Sequence, residues 1–181
     1  MATLTSAQLK AIVPTLKDQT KLDTYTAALN EAMTKFNITE PAIQAMFLAQ
    51  VAHESGGFFY FEEIASGKAY EGRKDLGNTQ SGDGVKFKGR GWIQITGRTN
   101  YTDVSKALGI DAVANPTILA KLPYAGLSAG WFWNNKKIND IAKPGTDAAF
   151  LAVTKKINGG TNGLDDRRNY WARAKKALGV N

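Results

Sequence analysis

Apolar positions recur at helical spacing along most of the chain. Thr5 and Gln8 have the arrangement of a capping box, so a short helix opens there and Pro14 closes it. Over 21–36, Leu22, Tyr25, Leu29, Met33 and Phe36 follow at steps of three and four, which predicts a helix burying one face. Thr39-Glu40-Pro41 marks another start, with the proline tolerated in the first turn. The segment 42–55 then carries Ile43, Met46, Phe47, Gln50 and Val51 along one stripe, until Gly56-Gly57 stops it. Helical patterns return at about 100–108, 124–134, 147–157 and 164–178.

Between them, 56–91 has a different character. An aromatic cluster (Phe58, Phe59, Tyr60, Phe61) gives way to glycines and polar residues, ending in Lys86-Phe87-Lys88-Gly89-Arg90-Gly91. A stretch of that length is more than a connector, and long loops in compact domains usually carry function. Trp92-Ile93-Gln94-Ile95-Thr96 alternates weakly and reads as a short strand or an extended buried segment. With no internal repeat and no low-complexity linker, the expectation is one domain over 1–181, its first 36 residues forming a helical cap.

Composition narrows the classes. The 181 residues are 43% hydrophobic and 22% charged, as in folded globular proteins. There is no cysteine, which removes disulfide frameworks and thiolate chemistry, and the single histidine, His53, makes a zinc site an unpromising expectation. No metal or other cofactor is expected. The net charge of +7 favours polyanionic partners. Nucleic acid is set aside: the glycine-rich run at 86–91 lacks the Gly-Lys-Ser/Thr ending of a P-loop, and no basic stripe is interleaved with aromatics. The N-terminus has no basic head followed by an apolar run, so no signal peptide is expected. No stretch approaches the roughly 18 apolar residues of a membrane span, so stable insertion is not expected either.

Several residues can carry chemistry. Glu54 ends an apolar helix, where the negative end of the dipole disfavours an anion, and Phe58 and Phe59 follow it. A carboxyl group so placed can keep its proton and act as a general acid, although the local pattern alone suits a surface glutamate better. Glu62 and Glu63 follow the glycine turn. An inverting glycosidase holds its second carboxylate roughly 6.5–9.5 Å from the first, with a water between; a pair of surface acids reads the same way. Gln94 and Thr96 share a face if their segment is extended. Asn158, in Ile157-Asn158-Gly159-Gly160, either supports a left-handed turn or meets a ligand. Trp131 and Trp133 read as core. The basic stretch 167–176 reads mainly as a solvated helix face, able to touch an anionic outer-membrane surface.

Taken together, Ala52-His53-Glu54-Ser55-Gly56-Gly57-Phe58, Gly89-Arg90-Gly91-Trp92-Ile93-Gln94-Ile95-Thr96-Gly97 with Asn100-Tyr101, and Ile157-Asn158-Gly159-Gly160 with Asp166-Arg167 resemble the signatures of family 19 glycoside hydrolases, in order. That family includes plant-type chitinases and many bacteriophage endolysins. The resemblance covers 37–181 as catalytic core and implies an α+β, predominantly α-helical, lysozyme-like fold with a substrate cleft. It implies Glu54 as general acid, and Glu63, rather than the adjoining Glu62, as the second acid. Thr96 is implied as the hydroxyl on the attacking water, Gln94, Tyr101 and Asn158 as substrate contacts, and Arg167, beside Arg168, as an arginine near the acid–base pair. Plant-type members carry cysteines and longer loops that this chain lacks, so a shorter cleft is expected. The implied function is an endolysin-type glycosidase that inverts the anomeric carbon of β-1,4-linked peptidoglycan strands. As a monomer held in the host cytoplasm, it would act on the wall after release. A chitinase, a lytic transglycosylase and a non-catalytic wall-binding module are the alternatives.

Overall fold

A computed structural model describes residues 3–180; residues 1, 2 and 181, the outermost positions of the expected unit, lie outside the described residues. The chain is built from helices α1 (Ser6–Ile12), α2 (Gln19–Lys35), α3 (Pro41–Glu54), α4 (Asp83–Lys86), α5 (Arg98–Leu108), α6 (Tyr124–Asn135), α7 (Ile138–Ala142), α8 (Asp147–Asn158) and α9 (Leu164–Leu178). The capping box at Thr5 and Gln8 forms as its spacing predicts, and Asp18 caps α2 by accepting from the Lys21 N–H at 3.0 Å. Among the described residues no helix is long and apolar enough to cross a membrane.

α3 is the central element. The pattern predicted one buried stripe, but every residue from Ile43 to Ala52 is buried, because α9, α7 and α8 all pack against this helix. Phe47 meets Trp133 of α6 edge to face at 5.4 Å, and Trp131 and Trp133 are core as expected. α1 packs on α9 and α2, and α2 on α6, so the first 36 residues share the main core. The approach of α2 to α6 depends on Gly130: a Cβ there would meet Phe36 at 2.6 Å and the Ala32 carbonyl at 3.2 Å.

Among the described residues the β component consists of two isolated bridges, Glu62 with Arg90 and Arg90 with Ile95. The segment 92–96 is therefore not a strand. Gly91 and Gln94 both have positive φ, which folds the chain back so that Arg90 and Ile95 exchange both backbone hydrogen bonds, at 3.1 and 2.8 Å. Gln94 and Thr96 consequently do not share a strand face. Within the 56–91 loop, Asp83 is buried and takes a two-pronged ion pair from Arg98, with backbone help from the Gln80 N–H.

That arrangement gives a pH dependence. The Arg98 hydrogen bonds hold the Asp83 carboxyl below the usual carboxylate range, outweighing its burial. A carboxyl with a lowered folded pKa contributes stability above its unfolded value, and that contribution is lost as pH falls through the folded value. Asp83→Asn should therefore lower the thermal midpoint near neutrality, and the gap from wild type should close below about pH 4. Melting curves from pH 7 to pH 2 check this, and a gap independent of pH contradicts it.

Candidate active site

The end of α3 and the 61–64 segment form the two walls of a groove of about 280 Å³, lined by Glu54, Glu62, Glu63, Gln94, Tyr60, Ile64 and Ala65. Glu54 is the last residue of α3, and the left-handed residues Gly56, Gly57 and Phe58 turn the chain sharply away after it. The expected aromatic flank is not there. Phe58 turns inward to pack on Trp92 at 4.9 Å, and Phe59 is 77% exposed; the apolar side of the groove comes from Tyr60 and Ile64.

Glu54 has instead an arginine. Arg167 is 1% exposed and donates from Nη2 to Glu54 Oε1 at 2.5 Å, from Nη1 to Gln50 Oε1 at 2.6 Å and from Nε to the Asn162 carbonyl at 3.1 Å. Gln50 in turn donates to Thr154 Oγ1 of α8 at 2.8 Å. The pairing decides between the adjacent arginines, since Arg168 reaches outward to Asp147. Glu54 Oε2 has no hydrogen-bond partner among the described residues. His53 reinforces the same corner: its Nδ1 lies 2.6 Å from Asp166 Oδ2.

The second wall is held by the bridge region. The Glu63 N–H donates to the Gly89 carbonyl and the Gly91 N–H to the Phe61 carbonyl, both at 2.9 Å. Glu63 and Glu62 then have different partners. Glu63 accepts from neutral donors, the Tyr70 hydroxyl at 3.0 Å and the Gly89 N–H at 3.1 Å. Glu62 is ion-paired to Lys88 at 2.9 Å and Arg90 at 3.2 Å. Burial pushes the Glu62 carboxyl up, but the Lys88 and Arg90 contacts together hold it below its ordinary value. A side chain at Gly89 would crowd this corner, since a Cβ would stand 2.6 Å from Gln94 Oε1 and 3.2 Å from Glu63 Oε2, so the Gln94 amide would have to shift.

Other expected site residues fall elsewhere. Gln94 lines the groove, but Thr96 does not: its hydroxyl donates to the Gln94 carbonyl at 3.0 Å and steadies that turn. Tyr101 is fully buried and cannot touch a polymer directly. Its hydroxyl donates to the Lys88 carbonyl at 2.7 Å and accepts from Arg90 at 3.0 Å, and burial pushes its pKa up to about 12. Asn158, at the end of α8, donates to the Asn162 carbonyl at 3.3 Å and does not line this groove. It shapes the loop that also receives Arg167. Sequence reasoning missed Tyr70 and Thr154 altogether. It read Gln50 only as part of the α3 stripe, although its position one turn before Glu54 was a usable signal.

The chain is similar to known proteins along most of its length. The family model described as Chitinase class I, glycoside hydrolase family 19, matches residues 27–150. A Haemophilus influenzae protein described as glycosyl hydrolase family 19 domain-containing is 33% identical, covering 77% of this chain and 82% of its own length. An endochitinase from Arabidopsis thaliana is 39% identical over 81% of this chain, which spans 51% of that relative. Among solved structures, the class IV chitinase of Zea mays superposes with TM-score 0.78 at 26% identity, covering 99% of this chain and 94% of the other. Chitinase C from Streptomyces griseus gives 0.75 at 26%, covering 99% and 78%.

The buried arginine and its exposed neighbour make a direct test of this geometry. Arg167→Met leaves Glu54, Gln50 and Asn162 without their shared donor and should cost about 3–5 kcal/mol of unfolding free energy. Arg168→Met breaks an exposed pair and should cost roughly 0–1 kcal/mol. Urea unfolding of the two variants measures both, and equal losses contradict the arrangement.

Proposed function

Since the chain belongs to glycoside hydrolase family 19, we propose that it cleaves β-1,4-linked amino-sugar polymers by single displacement, with Glu54 as general acid and Glu63 as general base. The observation that carries this reading is that both carboxylates line one groove with different partners. Glu54 Oε2 is the oxygen able to hold a proton toward the leaving sugar oxygen. As that proton departs, Arg167 stabilises the carboxylate left behind, an interaction stronger in the transition state than before it. Glu63, held by the Tyr70 hydroxyl and the Gly89 N–H, keeps lone pairs to take a proton from water. That water then attacks the anomeric carbon from the face opposite the leaving group, inverting it. Glu62 is the weaker base because Lys88 and Arg90 occupy it. Gln94 orients the substrate beside Glu63, with Thr96 acting through it as a positioning residue.

The polymer we propose is bacterial peptidoglycan, which makes the protein an endolysin-type lytic enzyme. A net charge of +7 supports an anionic wall over neutral chitin. The second reading, chitin, is favoured by the relatives described as endochitinases. Side-by-side digestion of purified sacculi and chitin oligomers, with product masses and anomers recorded, separates them. Hydrated reducing ends of inverted configuration are expected from sacculi; anhydro ends indicate a lytic transglycosylase, and soluble product from chitin alone overturns the peptidoglycan assignment.

The carboxylate roles have their own test. Glu54→Gln and Glu63→Gln should each lower kcat by roughly 10²–10⁴-fold while the protein still folds. Glu54→Gln should also lower the melting temperature, because it removes the carboxylate paired with the buried Arg167. Glu62→Gln should lower it far less. Full activity in Glu54→Gln, or a larger loss at Glu62 than at Glu63, contradicts the assignment.

A further inference from the structure

A second cavity, of about 840 Å³, opens beyond Tyr60, between the α1–α2 connection and the first turn of the 56–91 loop. Ligand pockets commonly hold roughly 300–1,000 Å³. None of the three groove glutamates lines it; Tyr60 is common to the two spaces, so they adjoin.

Its floor is Tyr25. The ring packs at 5.3 Å from Trp92 and 5.7 Å from Phe61, and the residue is only 7% exposed, yet its hydroxyl has no hydrogen-bond partner among the described residues. That hydroxyl is not sealed in the core but opens to the cavity, where it is free to bond a ligand. Burial, and then the Asp18 charge, push its pKa up, so at neutral pH it is an O–H donor. The Tyr170 and Thr15 hydroxyls stand in the wall beside Gly57, where a Cβ would lie 3.3 and 3.5 Å from them, and neither bonds a described residue. Phe59, packed edge to face on Tyr60 at 5.0 Å, forms an exposed aromatic lip. Lys17 and Lys21 add two exposed ammonium groups, while the Asp18 carboxylate between them is engaged in capping α2. Hydroxyl groups, an aromatic lip and two cations match a sugar that carries carboxylates.

We propose that this cavity binds the acidic peptide stem of a sugar next to the scissile bond, so that the protein prefers peptide-bearing wall strands to stripped ones. The inference rests on the peptidoglycan reading above. Lys17 and Lys21 pair with the stem carboxylates, the Tyr25 hydroxyl donates into the stem or its sugar, and Phe59 covers the sugar face.

The test compares kcat/KM on soluble peptide-bearing glycan strands with kcat/KM on the same strands stripped of peptide by an amidase. Lys17→Gln/Lys21→Gln should lower the ratio of the two about tenfold, through KM on the peptide-bearing strands, as expected for charge-assisted contacts. Tyr25→Phe, which keeps the ring packing, should lower it about fivefold. Lys106→Gln/Lys121→Gln removes the same net charge from exposed positions outside the cavity and should leave the ratio as it is in wild type. A wild-type ratio of one overturns the inference, as does an equal fall in both lysine pairs, while strand cleavage and the peptidoglycan reading stand. Failure of the wild-type protein to cleave either strand, with chitin oligomers still cut, overturns the peptidoglycan reading itself.

Discussion

The buried guanidinium of Arg167 is the constraint around which the active-site half of the molecule is arranged. An unpaired charge in the interior costs many kcal/mol, so the fold has to surround it with acceptors. The acceptors come from different elements: Gln50 and Glu54 from α3 and the Asn162 carbonyl from the turn before α9. Gln50 passes the connection on to Thr154 of α8. A guanidinium is planar with its donors in a fixed fork, so satisfying it fixes the register of α9 on α3. Gln50 and Glu54 are one turn apart on α3 and thus present their oxygens to the same fork. His53 and Asp166 join the same two helices from the neighbouring positions.

The opposite wall has no helix to hold it, and polar contacts do the same task in irregular backbone. Glu63 is fixed through its own N–H and through both carboxylate oxygens, and Lys88 adds a hydrogen bond to its carbonyl at 3.0 Å. Glu62 serves as the anchor. Its contacts with Lys88 and Arg90 tie the 61–63 segment to 88–90, and Arg90 passes the connection to the buried hydroxyl of Tyr101. Both glutamates border the groove, but Lys88 and Arg90 occupy Glu62 while Glu63 accepts only from neutral donors, so one is structural and its neighbour is left for the groove. The two walls thus differ in kind: one carboxylate stands on a packed helix, the other on a loop held by ion pairs.

That difference explains what could be read from the residues alone. The helices follow from apolar spacing, and the expected 147–157 and 164–178 match α8 and α9 to within a residue. Glu54 was legible because a helix end followed by glycines is a local pattern. Positions governed by long-range contacts were not. The contact between Tyr70 and Glu63 depends on how the loop closes, and no periodicity encodes it. The strand or extended segment expected at 92–96 is instead a turn, because Gln94 takes a left-handed conformation, which non-glycine residues rarely adopt and alternation cannot reveal. Tyr101 lies on the buried face of α5, where its hydroxyl meets Arg90 rather than solvent.

The same contacts change the meaning of the basic helix at the C-terminus. By composition α9 offers three arginines and two lysines to an anionic surface. In the fold, Arg167 is interior, Arg168 pairs with Asp147, and Arg173 donates to the Ile12 carbonyl at 2.8 Å while lying over Tyr170. Lys175 lies over the ring of Trp171. Most of this positive charge therefore fastens α9 to α1, α3 and α8, and α9 is poorly suited to leave the protein for a membrane surface. Attraction to a polyanion then falls to the overall excess of +7 and to lysines on other elements. Lys17 and Lys21 stand beside the larger cavity that adjoins the groove, so part of that excess lies next to the candidate active site.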